Sequence, residues 1–434
     1  EELAVLDVAG CQISDISPLQ GCPKLQSLYM DENQIRDVSC LEGKEELHTV
    51  CLNQNQIEDI RPLAGLGLWH LELGENRIQD ISPLSACGEL QYLYLQGNQI
   101  RDVSSLAGCR KLESLNLSGN RLENLAGCES MIALTSFYAK DNQITDLTGI
   151  ANSTAIRYLD VSGNQIGDLD ALGRGFTSLR GVNISGNQVE DIAVLGICGE
   201  LRFFMADHNQ IASLAPLKNA PELNLVFADG NRLTDLEGLG GKENLFAVTA
   251  YGNQLENIQA LSSCPNLLYL DLGQNQIRDI APFHGLSPNQ KGFVFLEHNQ
   301  IQDFSLFPVD PGYTLLALYG NPAKDLTSIS KIEDANSFND SFYLPYGEYT
   351  DYKALGELDM GGALCLVDAP LGEQAAILKQ AEESDVSRVK GGIRFAGLEE
   401  ADKELARRRT EMKEECTRDL QMLEGDGAIA SLVQ

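Results

Sequence analysis

Histidine, basic residues and catalytic motifs are all scarce in this chain of 434 residues. It holds no glycine-rich phosphate loop, no H-E-x-x-H and no G-x-S-x-G, so the common frames for phosphoryl transfer, metal-assisted hydrolysis and acyl transfer are missing. The five histidines are His48, His70, His208, His284 and His298. Only His70, between Glu72 and Tyr92, suggests an acid–base group, and with no nucleophile nearby it does not make an enzyme. Lys and Arg number 32 against 63 Asp and Glu, a formal net charge of −31. That balance argues against nucleic acid and anionic membrane surfaces, which both recruit basic patches. No apolar run is long enough for membrane insertion, and no signal peptide is visible. None of the eleven cysteines forms a C-x-x-C pair, so neither a zinc site nor any other cofactor is expected.

What the chain does have is a repeat. In LQYLYLQGNQIRDVSSLAGC, counting Leu90 as position 1, apolar residues fall at positions 1, 4, 6, 11, 14, 17 and 20. They are Leu90, Leu93, Leu95, Ile100, Val103, Leu106 and Cys109, with Asn98 at position 9 and Asp102 at position 13. The asparagines carry the rhythm: Asn33, Asn55, Asn76, Asn98, Asn120, Asn142, Asn164, Asn187, Asn209, Asn231, Asn253, Asn275, Asn299 and Asn321, with Cys11 in that place in the first copy. Most steps are 22 residues, and the series makes fifteen copies. The L-x-L segment alternates, which suits a short strand with its leucines inward. Successive turns then stack as parallel strands about 4.8 Å apart, so fifteen turns run on the order of 70 Å. The asparagine amide can donate to and accept from backbone groups left orphaned where the chain leaves the strand. A single turn buries too little apolar surface to offset the ordering of its own backbone, so neighbours must hold it.

Much of the acid is architectural. Position 13 is Asp in twelve copies, from Asp15 to Asp325. Asp before I-S-P, as in Asp15–Pro18 and Asp80–Pro83, suits the cap of a short 3₁₀ turn with Pro in its first turn. A calcium ladder is the alternative, but one carboxylate per turn supplies too few ligands. Cys22, Cys87, Cys109, Cys198 and Cys264 occupy position 20 and read as small apolar filler. Free buried thiols favour a reducing, cytoplasmic compartment. The cell surface of an anaerobe meets the same condition. Sequons at Asn116 and Asn183 fall on strand positions, where glycans would block the face.

The pattern L-x-x-L-x-L-x-x-N-x-I is the leucine-rich-repeat signature. Its N-x-I-x-D-I-x-x-L part, as in Asn33, Ile35, Asp37, Val38 and Leu41, resembles the roughly 22-residue class found in bacterial internalins and in the eukaryotic regulator of protein phosphatase 1. The resemblance covers residues 3 to about 325. It implies an α/β solenoid: a right-handed arc or horseshoe with a parallel sheet on the concave face, 3₁₀ or loop turns on the convex face, and protein binding on the concave side. Gly173–Thr177 carries a one-residue insertion and Phe283–Gly292 a two-residue insertion expected to bulge on the convex side. Tyr319-Gly320-Asn321-Pro322 resembles the closing turn of such arrays.

Beyond Leu326 the period is lost, and residues 326–434 read as a small α/β capping unit after a 1–325 repeat domain. Asp334–Tyr352 reads as loop, Ala363–Asp368 as a buried strand, Leu371–Glu383 as a helix, Val386–Ala396 as a strand or hairpin, and Leu398–Leu423 as a long helix. This tail is loosely similar to trailing units after repeat arrays in some bacterial proteins. Asp368 reads as a helix cap, and Cys365 and Cys416 as core. Leu398, Leu405, Met412, Cys416, Leu420 and Leu423 form one apolar stripe, expected to dock on the tail's own sheet, with self-association as the alternative. The chain opens at Glu1-Glu2-Leu3, inside a repeat and without methionine, which reads as a fragment lacking an upstream part.

Side chains at positions 3, 5, 7 and 8 face away from the leucines and are free of folding duty. In the first half they include Tyr29, His70, Tyr92, Tyr94, Tyr138 and Tyr158. In the second half they include Phe203, Met205, Leu225, Phe227, Tyr251, Tyr269, Phe293 and Phe295. Large apolar groups facing solvent mark a partner surface; a lateral ladder of packed rings is the competing reading. Acids at position 7, namely Asp31, Asp207, Asp229 and Glu297, suit a rim that selects a basic partner, and a solvated edge explains them equally well. The expected function is a non-enzymatic protein-binding scaffold. The alternatives are an internalin-like adhesin or receptor for protein or glycan, and a recognition module for an effector or catalytic domain upstream of residue 1.

Overall fold

The computed structural model describes residues 2–285, 292–305, 313–331, 341–348, 350–355, 358, 362–383, 389 and 392–424. The chain divides between Leu201 and Arg202 into two compact units. The first carries the strands β1 (Val5–Asp7), β2 (Ser27–Tyr29), β3 (Thr49–Cys51), β4 (His70–Glu72), β5 (Tyr92–Tyr94), β6 (Ser114–Asn116), β7 (Ser136–Tyr138), β8 (Tyr158–Asp160) and β9 (Gly181–Asn183). Each pairs in parallel with the next, residue against equivalent residue. Register therefore follows directly from the repeat. Leu28, Val50, Leu71, Leu93, Leu115, Phe137, Leu159 and Val182 form one buried column.

The asparagine ladder is present as expected. Asn55 Oδ1 accepts the Ile35 N–H at 2.9 Å. Its Nδ2 lies 3.0 Å from Met30 O, 3.2 Å from Leu52 O and 3.1 Å from Asn53 O. The same pattern recurs from Asn33 to Asn321. Position 8, just before each asparagine, adopts a left-handed backbone, as in Gln54 (φ 53°), Gly97 (φ 66°) and Gly119 (φ 65°), and this turns the amide inward. Cys11, in the first copy, is exposed and lacks the amide; its N–H donates to Asn33 Oδ1 at 3.1 Å.

Opposite the strands the chain makes 3₁₀ turns such as Ser17–Gly21, Ser82–Ala86 and Ser104–Gly108. The position-13 aspartate works one residue earlier than a true N-cap. Asp15 Oδ1 accepts the Ser17 N–H at 2.9 Å, and Asp80 and Asp102 do the same for Ser82 and Ser104, each at 2.8 Å. This is an Asx turn that delivers the chain into the 3₁₀ segment. Cys87, Cys109, Cys198 and Cys264 are buried between turns, and Cys22 is half-buried. Burial pushes the Cys109 and Cys198 thiols up to about 11, which keeps them protonated and inert.

The second unit continues the same construction. Its strands are β10 (Phe203–Met205), β11 (Leu225–Phe227), β12 (Ala247–Thr249), β13 (Tyr269–Asp271), β14 (Gly292–Phe295), β15 (Tyr313–Ala317) and β16 (Ser341–Pro345), then helix α1 (Tyr352–Leu355), β17 (Ala363–Val367), α2 (Leu371–Ala381), β18 (Ile393–Ala396) and α3 (Leu398–Glu424). From β10 to β18 each strand pairs in parallel with the next. Two expectations need correction here. Within Asp334–Tyr352, Ser341–Pro345 is a strand rather than loop, and the sheet does not close at Tyr319–Pro322. The partners Leu316, Phe342, Leu364 and Ile393 show why. Their spacings of 26, 22 and 29 residues hide strands that still alternate inward Phe342 and Leu344 with outward Tyr343.

The bulge expected in Phe283–Gly292 falls mostly outside the described residues, as does much of Val386–Ala396. Asp368 does not cap α2; it has φ 64°, and Pro370 holds the N-cap place. Cys365 and Cys416 are buried. Among the described residues no helix is long and apolar enough to cross a membrane.

Candidate functional site

The outer face of the second unit's sheet, opposite the leucine core, is covered by α3. The helix packs against β13. Its Ala401, Leu405, Met412 and Cys416 are buried, while Leu398, expected in the same stripe, is exposed. Leu420 and Leu423 lie where side chains are outside the described set. One helical turn rises about 5.4 Å and one strand step is about 4.8 Å, so a helix crossing the strands meets successive turns of the repeat. Arg409 Nε donates to Asp271 at 2.5 Å and Nη2 donates to Glu297. Its guanidinium lies 4.2 Å from the Tyr251 ring centre and 5.0 Å from that of Phe295. One turn later, Lys413 Nζ binds Asp207 at 2.5 Å and Asp229 at 2.7 Å, and lies 4.8 Å over Phe227. Two turns before Arg409, Asp402 accepts from the Tyr319 hydroxyl at 2.6 Å and sits 3.0 Å from His298 Nε2.

The carboxylates that hold Arg409 are dry. Asp271 and Glu297 side chains are 0% and 1% exposed. Burial pushes Asp271 up to about 7 and raises Glu297 and Asp207, against the pull of the cations. Like charges crowd the site, and Asp229 beside Asp207 and Glu297 beside Asp271 add to that rise. Gly273 makes room for the cluster: a Cβ there would lie 2.9 Å from Arg409 Nη2.

The corresponding face of the first unit carries an aromatic cluster. The His70 ring lies 5.6 Å from Trp69, 5.6 Å from Tyr92 and 5.9 Å from Tyr94, centre to centre. Trp69 Nε1 donates to His48 Nδ1 at 3.1 Å, and Trp69 is 38% exposed. Beneath these rings His70 Nε2 lies 2.7 Å from Glu72 Oε1. The His70 hydrogen bond, chief among several, holds the Glu72 carboxyl below its usual range despite burial. Tyr29, Tyr92 and Tyr94 are half-buried; Tyr138 and Tyr158 are buried.

Known families read the same way. A family described as leucine-rich repeats in two copies matches residues 1–43, 68–108 and 88–127, and a single leucine-rich repeat matches 152–172 and 263–280. The solved structure of an internalin, inlF of Listeria monocytogenes, is 29% identical, with a TM-score of 0.57 over 76% of this chain and 85% of that one. The chain is built of leucine-rich repeats and is similar to an internalin over most of its length. Other leucine-rich-repeat structures share its fold. One from Leptospira interrogans is 17% identical at a TM-score of 0.64, covering 87% of this chain and 94% of that one. The plant peptide hormone receptor RGFR1, solved in complex with RGF2, is 18% identical at 0.59, covering 90% and 66%. Nothing matches among curated proteins.

The sequence-derived surface residues need correction in both units: Tyr138 and Tyr158, read as solvent-facing in the first, are buried. The reading of Phe203, Met205, Leu225, Phe227, Tyr269 and Phe295 as solvent-facing is corrected: all are buried, and Phe227 and Phe295 have α3 cations over their rings. Tyr251 and Phe293 are half-buried. The lateral ladder is also real, with Tyr269 and Phe293 stacked 5.5 Å apart. Asp207, Asp229 and Glu297 do meet basic groups, but these come from the chain's own helix. Trp69 and His48 were missed because both sit at position 2 of their copies, outside positions 3, 5, 7 and 8. The sole tryptophan of the chain was the available signal.

Proposed function

We propose that this chain is a non-catalytic scaffold that takes a partner protein on the outer sheet face of the first unit, with Tyr29, Trp69, His70, Tyr92 and Tyr94 as the contact surface. Leucine-rich-repeat folds of this type are generally protein-interaction scaffolds. The observation that carries the reading is the exposed ring cluster itself. Large aromatic groups held rigid by neighbours and left part open supply contact area at little entropic cost. Two carboxylates flank the cluster. Glu72 lies beneath His70, and Glu113 lies 3.3 Å from the Tyr92 hydroxyl, so a basic partner surface is the better fit.

The test is affinity capture from source cells with the native chain and a Trp69→Ser/Tyr92→Ser/Tyr94→Ser variant side by side. A protein retained by the first and lost by the second, with circular dichroism unchanged, supports the reading. An identical captured set, or collapse of the variant's fold, contradicts it.

A further inference from the structure

Three potential metal ligands that are remote from any sequence motif converge on the first unit. Cys51 and Glu72 are register partners on adjacent strands β3 and β4. His70 stands two residues before Glu72, so both side chains leave the same face of the strand. The Cys51 Sγ, a His70 ring nitrogen and a Glu72 carboxylate oxygen all lie within 4.8 Å of one another. A tetrahedral zinc ion, with bonds of roughly 2.0–2.3 Å, places its ligand atoms about 3.5 Å apart, so modest side-chain rotation converts one arrangement into the other.

We propose that Cys51, His70 and Glu72 form a divalent metal site of the zinc class, with a fourth coordination position open toward the outer face. The donor set selects the ion. One thiolate, one imidazole and one carboxylate suit zinc and its borderline neighbours, whereas calcium and magnesium demand oxygen alone. Thiolate and carboxylate together carry two negative charges, which balance a dication.

The surroundings support the ligands as well. Asn53 Nδ2 donates to Glu72 Oε2 at 2.5 Å and fixes the carboxylate from its far side. The Trp69, Tyr92 and Tyr94 rings set the plane of His70. Asp31, whose carboxylate accepts the Asn53 backbone N–H at 2.7 Å, adds negative potential nearby. Burial, aided by Glu72 and Asp31, pushes the Cys51 thiol up to about 12, so the free site holds its proton. Metal binding forms the Zn–S bond and releases that proton to solvent. This assignment does not depend on the partner reading.

The full-length chain, reduced and freed of metal, is titrated with Co²⁺ and then Zn²⁺. The expected result is one equivalent of cobalt with a thiolate-to-cobalt charge-transfer band, displaced by zinc, and a thermal midpoint raised by zinc. Cys51→Ser abolishes the band. His70→Gln, at a half-exposed position, abolishes it with the fold intact. Asn53→Ala weakens cobalt binding by roughly tenfold, as loss of a group orienting a ligand does. Absence of the band in the native chain overturns the proposal. So does a band that survives Cys51→Ser, since another of the eleven cysteines would then be the ligand, or one that survives His70→Gln, since the imidazole would then not be a ligand.

Discussion

At the scale of single residues, one buried amide per turn carries the fold. Asn120 Oδ1 accepts the Ile100 N–H at 3.0 Å, and its Nδ2 lies 3.0 Å from both Leu95 O and Leu117 O. Removing it strands a buried donor and buried acceptors, so Asn120→Ala should lower unfolding free energy by about 1–3 kcal/mol in urea titration. The exposed Asp102 only receives the Ser104 N–H, and Asp102→Ala should cost clearly less. Both roles are legible in the sequence, because period and residue type together place the amide inside the stack. The Cys51, His70 and Glu72 cluster is not legible as a motif. It appears only when copies are laid in register and positions 5, 3 and 5 of adjacent turns become neighbours.

At the scale of elements, α3 is the decisive one. Its length and apolar stripe are readable from spacing, but a stripe says only that a face is buried, not against what. The missed signal is that Arg409 and Lys413 share the inward side with Leu405, Met412 and Cys416. Arg407 and Arg408 pair with Glu404 and Glu411 along the helix, so the three-arginine run divides between the two sides. Basic groups on an apolar face require an acidic surface opposite, and the position-7 column supplies Asp207, Asp229 and Glu297. Arg409→Ala leaves Asp271 and Glu297 buried without their cation, which should cost about 3–5 kcal/mol. Hydrogen exchange should then show faster exchange in α3 than in β13. Unchanged α3 protection would mean that the apolar contacts alone hold the helix.

For the whole molecule, acid titration is the broad test. Burial raises Asp160 to about 6 and Asp271 to about 7 from 3.8. Between these limits the folded chain holds protons that the unfolded chain has lost, so stability falls as pH rises from about 4 to 7, by on the order of 1 kcal/mol per pH unit for each group. Below about pH 4 the trend reverses as Asp102 and Asp303, held low by hydrogen bonds from Ser104 and Ser305, take up protons. Urea midpoints measured from pH 3 to 8 should therefore peak on the acid side of neutrality.

The account turns on one sheet face being occupied by the chain's own helix while another keeps its rings accessible. Hydroxyl-radical footprinting reads both at once. Trp69, Tyr92 and Tyr94 should label readily, with Phe203, Phe227 and Phe295 protected until Arg409→Glu/Lys413→Glu expels α3. Ready labelling of Phe203, Phe227 and Phe295 in the native chain, or protection of Trp69, would contradict it.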